Sequence, residues 1–417
     1  MMSIREEESC MNRFKEQAMK IVFMVAACAS VLAVFLICLF LFANGIPAIA
    51  KIGPLKFLLG TVWKPSNDKF GIFPMIIASI YVTGGAILVG VPIALFTSVF
   101  MARYCPKKIY RPLKSGIELM AGVPSIVYGF FGLVLMVPLI RNTFGGTGTS
   151  WLAASLLLGI MILPTIIGPT ESALRSVSES YYEGSLALGA TKERSIFVVM
   201  LPAAKSGILA AVVLGIGRAI GETMAVIMVA GNQARMPAGL LKGLRTMTAN
   251  IVTEMGYATG LHREALIATG VVLFVFILII NLSLSLLNRR AVAEPMVEKM
   301  KKRNETSAAD RIRSYLRHPG SGVLALLTIG AAVVTFAVLI FLVAYILVKG
   351  IPYLTPSLFS LEYTSENVSL MPSLINTFIM TALSLVIAAP LGIFAAIYLV
   401  EYAKKGNKLV QVIRITA

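Results

Sequence analysis

Long apolar runs separated by short charged segments dominate the chain. Eight runs approach or exceed the roughly 20 residues that a helix needs to cross a bilayer. They lie near residues 21–44, 72–102, 117–140, 151–170, 206–231, 264–288, 321–348 and 372–400. Because backbone polar groups in lipid must be satisfied within the segment, runs of this length predict helices. The pattern predicts an all-α polytopic membrane protein with about eight transmembrane helices.

Composition and charge sharpen this prediction. The 417 residues are 57% hydrophobic and 14% charged, with a mean hydropathy of +0.84. Soluble domains carry about 25% charged residues, so a soluble enzyme and a disordered chain are excluded. The net charge of +17 is typical of nucleic-acid binding in a soluble protein, but in a membrane protein it first reports topology. With the N-terminus inside, 26 Lys and Arg lie inside and 10 outside. We therefore expect a cytoplasmic N-terminus, a bilayer as partner and no nucleic acid.

Few residues suit catalysis, metal binding or ATP binding. The chain has two histidines and four cysteines, and the cysteines form no C-x-x-C pair. We expect no metal site, no disulfide framework and no catalytic residues. The P-loop pattern Gly-x4-Gly-Lys-Ser/Thr does not occur. We therefore expect no cofactor on this chain and no enzyme activity, with ATP and magnesium bound by a partner.

A polar linker divides the chain into two predicted membrane units. The predicted organisation is a cytoplasmic segment (1–20), a six-helix unit (21–288), a basic linker (289–320) and the start of a second unit (321–417).

The two predicted units share an internal repeat, in which five identities recur at an offset of 298 residues. They pair Pro74 with Pro372, Thr83 with Thr381, Pro92 with Pro390, Phe96 with Phe394 and Tyr104 with Tyr402. Six spans separate the copies, which predicts a parallel repeat. The second unit holds two spans, so we expect it to be incomplete and the chain to be a fragment.

The inside loop 171–205 holds the most informative motif. Glu183 is followed after five residues by Gly189, and then by Leu201-Pro202. We predict a short helix entered at an acidic residue, a turn at Gly189, and a second segment ending before Pro202. This spacing resembles the EAA loop of ATP-binding-cassette importer permeases, with departures at Gly184, Ser185 and Val199. The resemblance implies that the loop is the coupling helix that docks on an ATPase dimer.

The fifth span contains two charges, Arg218 and Glu222. At a spacing of four they are predicted to share one face of a helix, with Gly217 and Gly221 beside them. Charges at this depth usually face each other or a cavity. The residues alone leave two interpretations open: a structural Arg–Glu pair, or a substrate site where the guanidinium binds an oxyanion.

Two segments together are similar to phosphate-specific importer permeases. They are residues 121–129 (Ala-Gly-Val-Pro-Ser-Ile-Val-Tyr-Gly) and 218–223 (Arg-Ala-Ile-Gly-Glu-Thr). Residues 1–290 resemble the PstC-type subunit, and residues 310–417 resemble the start of the PstA-type subunit. The resemblance implies the type I ABC importer fold and links Arg218 and Glu222 to phosphate translocation. We interpret Gly122, Pro124 and Ser125 mainly as helix-breaking and packing residues, with pore lining second.

The working hypothesis is a permease of the cytoplasmic membrane that moves inorganic phosphate by alternating access. The resemblance implies three partners: an ATPase dimer, an extracytoplasmic phosphate-binding protein, and the remaining second permease half. The outside segment 232–262 is either the docking and gating surface for the binding protein or a plain loop. Three alternatives stay open, namely a permease of the same fold for sulfate or molybdate, an ion-coupled secondary transporter, and a non-transporting signalling protein.

Overall fold

Helices form almost all of the regular structure. The computed structural model describes residues 2–289, 319–364 and 367–402. The α-helices in chain order are α1 (Met2–Ile52), α2 (Pro54–Leu59), α3 (Phe73–Val99), α4 (Lys107–Gly122), α5 (Ser125–Phe131), α6 (Val137–Phe144), α7 (Trp151–Ser176), α8 (Glu179–Ala187), α9 (Lys192–Arg194), α10 (Leu201–Ala203), α11 (Lys205–Gly221), α12 (Met224–Val229), α13 (Met247–Met255), α14 (Gly260–Arg289), α15 (Pro319–Gly350) and α16 (Met371–Ile397).

Short irregular helices and one hairpin complete the described chain. Short π-helical segments at Phe100–Tyr104, Gly132–Met136, Ser195–Met200 and Tyr398–Tyr402 extend α3, α5, α9 and α16. The 3₁₀ turns are Pro65–Asn67, Ile351–Tyr353 and Pro356–Phe359. Strands β1 (Trp63–Lys64) and β2 (Lys69–Phe70) pair antiparallel, a hairpin that the sequence did not predict. The predicted linker 289–320, apart from its two ends, lies outside the described residues.

The predicted fold class is confirmed. Seven helices of the described chain are long and apolar enough to cross a membrane, or eight if a pair bent by 75° counts as one span. The seven are Glu16–Ile52, Phe73–Tyr104, Ser125–Phe144, Trp151–Ser176, Gly260–Ser283, Gly320–Tyr353 and Met371–Ile397. Each overlaps a predicted span, because a long uncharged run leaves the backbone no alternative in lipid.

Two predicted spans need correction. The span predicted over 117–140 begins instead at Ser125, because α4 ends at Gly122 and Pro124 follows it. The span predicted over 206–231 is not one helix. It ends at Gly221, and α12 starts afresh at Met224. At its other end the bent pair joins Lys192–Ala203 to Lys205–Gly221.

The hydrophobic core is built on the close contact of α3 with α7. A Cβ on Gly90 would lie 2.7 Å from the carbonyl oxygen of Gly159 and 2.8 Å from the side chain of Ile162. Gly159 in turn faces the backbone of Ala86 and Gly90 at 3.4–3.5 Å. Small residues let two membrane helices approach until their backbones touch. This contact fixes α7, and with it the loop that follows α7.

We expect Gly90→Val to lower the unfolding temperature measured in detergent, because the added carbons have no room against Gly159. Overpacking of this kind costs about 1–3 kcal/mol. Gly84→Val is the matched control, since a Cβ at Gly84 meets nothing within 4 Å. Equal melting curves for the two variants would contradict the proposed close packing.

The repeat is visible in the structure as well as in the sequence. Helix α3 with its π-helical end covers Phe73–Val99 and Phe100–Tyr104, and α16 with its own covers Met371–Ile397 and Tyr398–Tyr402. Every boundary is displaced by the same 298 residues as the sequence identities. Both helices also carry a proline in the first turn and one inside, Pro92 and Pro390.

The described residues form two compact units. One contains residues 44–346, and the other combines residues 1–43 with those after 346. Most of α15 therefore packs within the first unit, where Thr335 hydrogen bonds to Thr97 (3.0 Å). In the second unit the rings of Phe23 and Phe394 are 5.2 Å apart. This division by packing differs from the predicted division by sequence, in which α15 opens the second unit.

Candidate functional site

The loop between α7 and α11 has a rigid turn at Gly189. Helix α8 ends at Ala187, and Gly189 follows with φ of +86°. The N–H of Gly189 donates to the carbonyl of Leu186 (3.0 Å), and the N–H of Ala190 donates to that of Ser185 (3.1 Å). These two bonds are the Schellman ending of a helix, in which glycine supplies the left-handed residue. The predicted turn at Gly189 is present and has a defined geometry.

Two details of the predicted loop are wrong. Glu183 does not begin the short helix, since α8 starts at Glu179 and Glu183 lies in its middle. Nor does the second segment end before Pro202. The helical stretch Lys192–Ala203 runs through Leu201 and Pro202 and bends only at Ala204. Pro202 is the second residue of α10, which directly follows the π-helical segment Ser195–Met200.

Consecutive residues at the end of α3 hold the loop in position. Nη1 of Arg103 lies 2.8 and 2.9 Å from the two carboxylate oxygens of Glu179, at the start of α8. The Tyr104 hydroxyl donates to Glu193 (3.1 Å), which is 2% exposed and lies in α9. The ammonium of Lys192 lies 4.1 Å from the centre of the Tyr104 ring. Both parts of the loop are thus fixed to one helix end.

Sequence reasoning missed these anchoring residues. In the sequence, Arg103 is one of the 26 basic residues expected inside, and Tyr104 is one of the five repeat identities. Their partners are 76 and 89 positions away. The one available signal was the basic residue directly before the tyrosine at the end of a span.

The break between α11 and α12 separates Arg218 from Glu222. Arg218 lies in the last turn of α11, about 20 Å along the helix from Lys205. Glu222 follows the helix in extended conformation, with φ of −68° and ψ of 130°. Its carboxylate accepts the N–H groups of Thr223 (3.1 Å) and Ala225 (3.2 Å). Glu222 therefore caps α12, and the predicted shared helix face is wrong.

The guanidinium of Arg218 is left without a carboxylate partner. Among the ion pairs of the described residues, none joins Arg218 to Glu222. Nε of Arg218 is buried and has no hydrogen-bond partner within the described part of the chain. A buried charged donor without a partner is costly and needs an explanation. The described residues therefore do not show the structural Arg218–Glu222 pair that the sequence left open.

A second helix break lies beside the first. Helix α4 ends at Gly122, Val123 and Pro124 are extended, and α5 begins at Ser125. Helix α5 packs on α12 so tightly that a Cβ on Gly129 would lie 3.0 Å from Cα of Ala225.

Tyr128, one residue before Gly129, is within electrostatic range of Arg218 and donates to the carbonyl of Met120 (2.9 Å). Both sequence motifs that suggested transport therefore meet at adjacent broken helices.

A buried polar cluster centred on Glu254 supports this region from the far side of α13. Glu254 is 7% exposed, and its carboxylate accepts hydrogen bonds from three side chains. The donors are Trp63 Nε1 (2.9 Å), His262 Nε2 (2.8 Å) and Arg245 Nη1 (2.5 Å). Six residues before Glu254, the Thr248 hydroxyl donates to the carbonyl of Glu222 (3.3 Å). The cluster thus joins the hairpin, α13 and α14 next to the α11–α12 break.

The acid stability of the protein should depend on Glu254. Burial alone raises the pKa of Glu254, but the hydrogen bonds from Trp63, His262 and Arg245 outweigh it and hold the pKa below its ordinary value of 4.5. A depressed folded pKa stabilises the fold above the ordinary value, and this contribution is lost as the pH falls through the folded pKa.

We therefore expect the unfolding temperature in detergent to fall as the pH drops below about 4.5, and the fall to be smaller in Glu254→Gln. At pH 7 that variant should be less stable by about 1–3 kcal/mol, because buried donors lose a charged acceptor. Glu264→Gln is the control, since Glu264 is exposed and paired only with Lys51. An identical pH profile for wild type and Glu254→Gln would contradict the assignment.

Multiple membrane helices, a fixed loop and a broken polar span define a class of protein, the membrane component of a solute transporter. The family model described as "Binding-protein-dependent transport system inner membrane component" matches residues 90–292, which contain the loop between α7 and α11 and the α11–α12 break. The chain belongs to this family. It is the permease subunit of an ABC importer, a multi-pass component of the inner membrane that is not itself the ATPase. The family implies ATPase and binding-protein partners.

Several known proteins are similar to this chain. A probable ABC transporter permease protein, YqgH of Bacillus subtilis, is 38% identical over 62% of this chain and 87% of the relative. The phosphate transport system permease protein PstC of Mesorhizobium japonicum is 33% identical over 58% of this chain and 80% of the relative. An inward-facing structure of the MetNI methionine ABC transporter aligns at 21% identity and a TM-score of 0.41, covering 54% of this chain and 95% of that chain.

Proposed function

We propose that this chain is the permease of an importer for inorganic phosphate. The observation that carries the proposal is the guanidinium of Arg218, whose Nε is buried without a hydrogen-bond partner among the described residues and which lies at a helix break. A planar fork of donors matches a tetrahedral oxyanion and can bind two of its oxygens. Relatives named PstC, at 31–34% identity, support phosphate as that oxyanion.

Glu222 has a different role in this proposal. Its carboxylate is occupied by the N–H groups that open α12, so it fixes the break and offers no charge to Arg218. Transporters commonly form their substrate sites at discontinuous helices near the midplane. The break at Gly122–Ser125 supplies the neighbouring discontinuity, with Pro124 preventing a continuous helix across it.

The loop from Glu183 to Pro202 is the proposed docking site of the partner ATPase, and the N-terminus is proposed to be cytoplasmic. The exposed surface of this loop includes Leu188, whose side chain is 91% exposed although it is apolar and lies outside the membrane-spanning helices. ATP and magnesium bind to the ATPase dimer. Closure of the dimer displaces the loop, and α11 carries that motion to Arg218.

In this cycle an extracytoplasmic phosphate-binding protein delivers phosphate while the site faces outward, and hydrolysis returns the site inward. The other half of the path is proposed to come from the remainder of a PstA-like unit. Rigid-body motion of repeats about a fixed site accounts for alternating access.

Anion competition tests the substrate. The chain, assembled with its ATPase and binding protein in proteoliposomes, should take up radioactive phosphate, and unlabelled phosphate should compete. Sulfate and molybdate in tenfold excess should leave uptake within about twofold. Equal competition by sulfate or molybdate would assign the same architecture to another oxyanion. Uptake that follows an ion gradient without ATP would identify a secondary transporter instead.

A further inference from the structure

The first turn of α15 is hydrogen-bonded to the coupling loop. The hydroxyl oxygens of Ser321 and Thr191 are 2.7 Å apart, and Ser321 is 8% exposed. Thr191 is also the cap of α9, since its Oγ1 accepts the N–H of Arg194 (3.3 Å). Its carbonyl accepts the N–H of Ser195 (2.9 Å). Ser321 thus holds the residue at which the second part of the loop begins.

A second hydroxyl pair attaches α15 about 21 Å further along the helix. Thr335 and Thr97 share a hydrogen bond of 3.0 Å, and both residues are fully buried. Thr97 belongs to α3, whose end carries the anchors Arg103 and Tyr104. The loop, α3 and α15 therefore form a closed ring of contacts. Separating either pair costs one hydrogen bond, although Thr335 keeps its bond to the carbonyl of Ala331 (2.9 Å) and Thr191 keeps the N–H of Arg194 (3.3 Å).

Beyond Thr335, α15 packs closely on its neighbours. A Cβ on Gly116 of α4 would lie 2.6 Å from the side chain of Leu339. The ring of Phe131 meets the rings of Phe341 and Tyr345 edge-on, with both centroid distances 5.8 Å. Beside the Ser321–Thr191 pair, in contrast, a cavity of about 700 Å³ opens between Leu188–Val198 and Gly320–Leu324. At that end, the hydrogen bond between Ser321 and Thr191 joins α15 to the loop.

We propose that α15 moves as one body with the coupling loop, and that Thr191 and Ser321 are the positioning residues that join them. A displacement of the loop then displaces α15 as well as α11. This inference rests on the proposed function of the loop.

A disulfide between the two positions tests the proposal. Thr191→Cys and Ser321→Cys are introduced into the full chain with its native cysteines replaced, and a protease site is inserted between residues 290 and 318. After oxidation and cleavage, joined fragments on a non-reducing gel report the bond. Each single-cysteine variant controls for nonspecific joining. The assembled transporter is oxidised either without ATP or trapped with ATP and vanadate.

We expect the same yield of joined fragments in both states, and a loss of ATP-driven uptake of less than twofold on oxidation. A bond that forms in only one state, fails to form, or stops uptake overturns the proposal. Failure of the proposed function looks different, because wild type would then show no ATP-driven phosphate uptake whatever the bond does.

Removal of the hydrogen bond is the complementary test. Ser321→Ala and Thr191→Val should each raise the ATP hydrolysed per phosphate transported at least threefold, and Thr191→Ser should restore the ratio. Ser176→Ala is the matched control, since that exposed hydroxyl bonds only the carbonyl of Ala173. Unchanged ratios in both variants contradict the role assigned to the pair.

Discussion

Arg218→Ala should reduce phosphate uptake by at least tenfold while leaving the assembled complex intact. Hydrogen bonds to a charged group contribute about 1.5–3 kcal/mol, and about 1.4 kcal/mol is already a factor of ten. Within the described residues the Arg218 side chain has no carboxylate partner, so its removal leaves no buried carboxylate unpaired. The effect should therefore appear in transport and not in stability, measured as initial uptake rate and unfolding temperature on the same preparation.

Two further variants make the result specific. Arg218→Lys keeps the charge but loses the planar fork, so intermediate uptake is expected. Arg141→Ala is the matched control, because Arg141 also lies in the last turn of a helix but is exposed. Wild-type uptake by Arg218→Ala, or an equal loss in Arg141→Ala, would remove Arg218 from the substrate site.

Gly189→Val should weaken binding of the ATPase by tenfold or more. A left-handed backbone is strained for any residue with a Cβ, and most for a β-branched one. The cost of about 2 kcal/mol corresponds to a factor of about 30 in the population of the native turn. The amount of ATPase that co-purifies with the permease measures this loss.

Gly184→Val separates the turn from the mere presence of a larger side chain. Gly184 lies within α8, five residues before Gly189, has an ordinary helical backbone, and a Cβ there meets nothing within 4 Å. Valine suits a helix better than glycine does, so co-purification should be unchanged. Equal loss in both variants would show that the surface of the loop, and not its turn, determines docking.

The spans could be predicted because their cause is local. A long uncharged run such as 372–400 must be helical in lipid, and α16 occupies it. The turn at Gly189 was also predictable, since glycine followed the short helix at a C-cap spacing. The 298-residue repeat was visible as identities before the helix bounds repeated it.

The break at Glu222 could not be predicted from the apolar pattern. Periodicity favours one helix over 206–231, and only the carboxylate bonds to Thr223 and Ala225 show that capping outweighs it. The anchors and the Glu254 cluster depend on residues far apart in the chain, such as Trp63 and Glu254 at a separation of 191. Such contacts leave no local signal in a single sequence.

The broken span also changes the meaning of its charges. As a helical pair, Arg218 and Glu222 would neutralise each other and leave nothing for an anion. With Glu222 engaged as a cap, its carboxylate does not pair with Arg218.

ATP-driven accumulation of phosphate is the measurement that tests the central claim most directly. The chain is reconstituted in vesicles with its ATPase and phosphate-loaded binding protein, and internal phosphate is followed over time. The account predicts accumulation against a gradient with ATP, none with a non-hydrolysable analogue, and none after Arg218→Ala. Accumulation that proceeds without ATP, or an ATP-driven transporter that moves another solute and no phosphate, would contradict it.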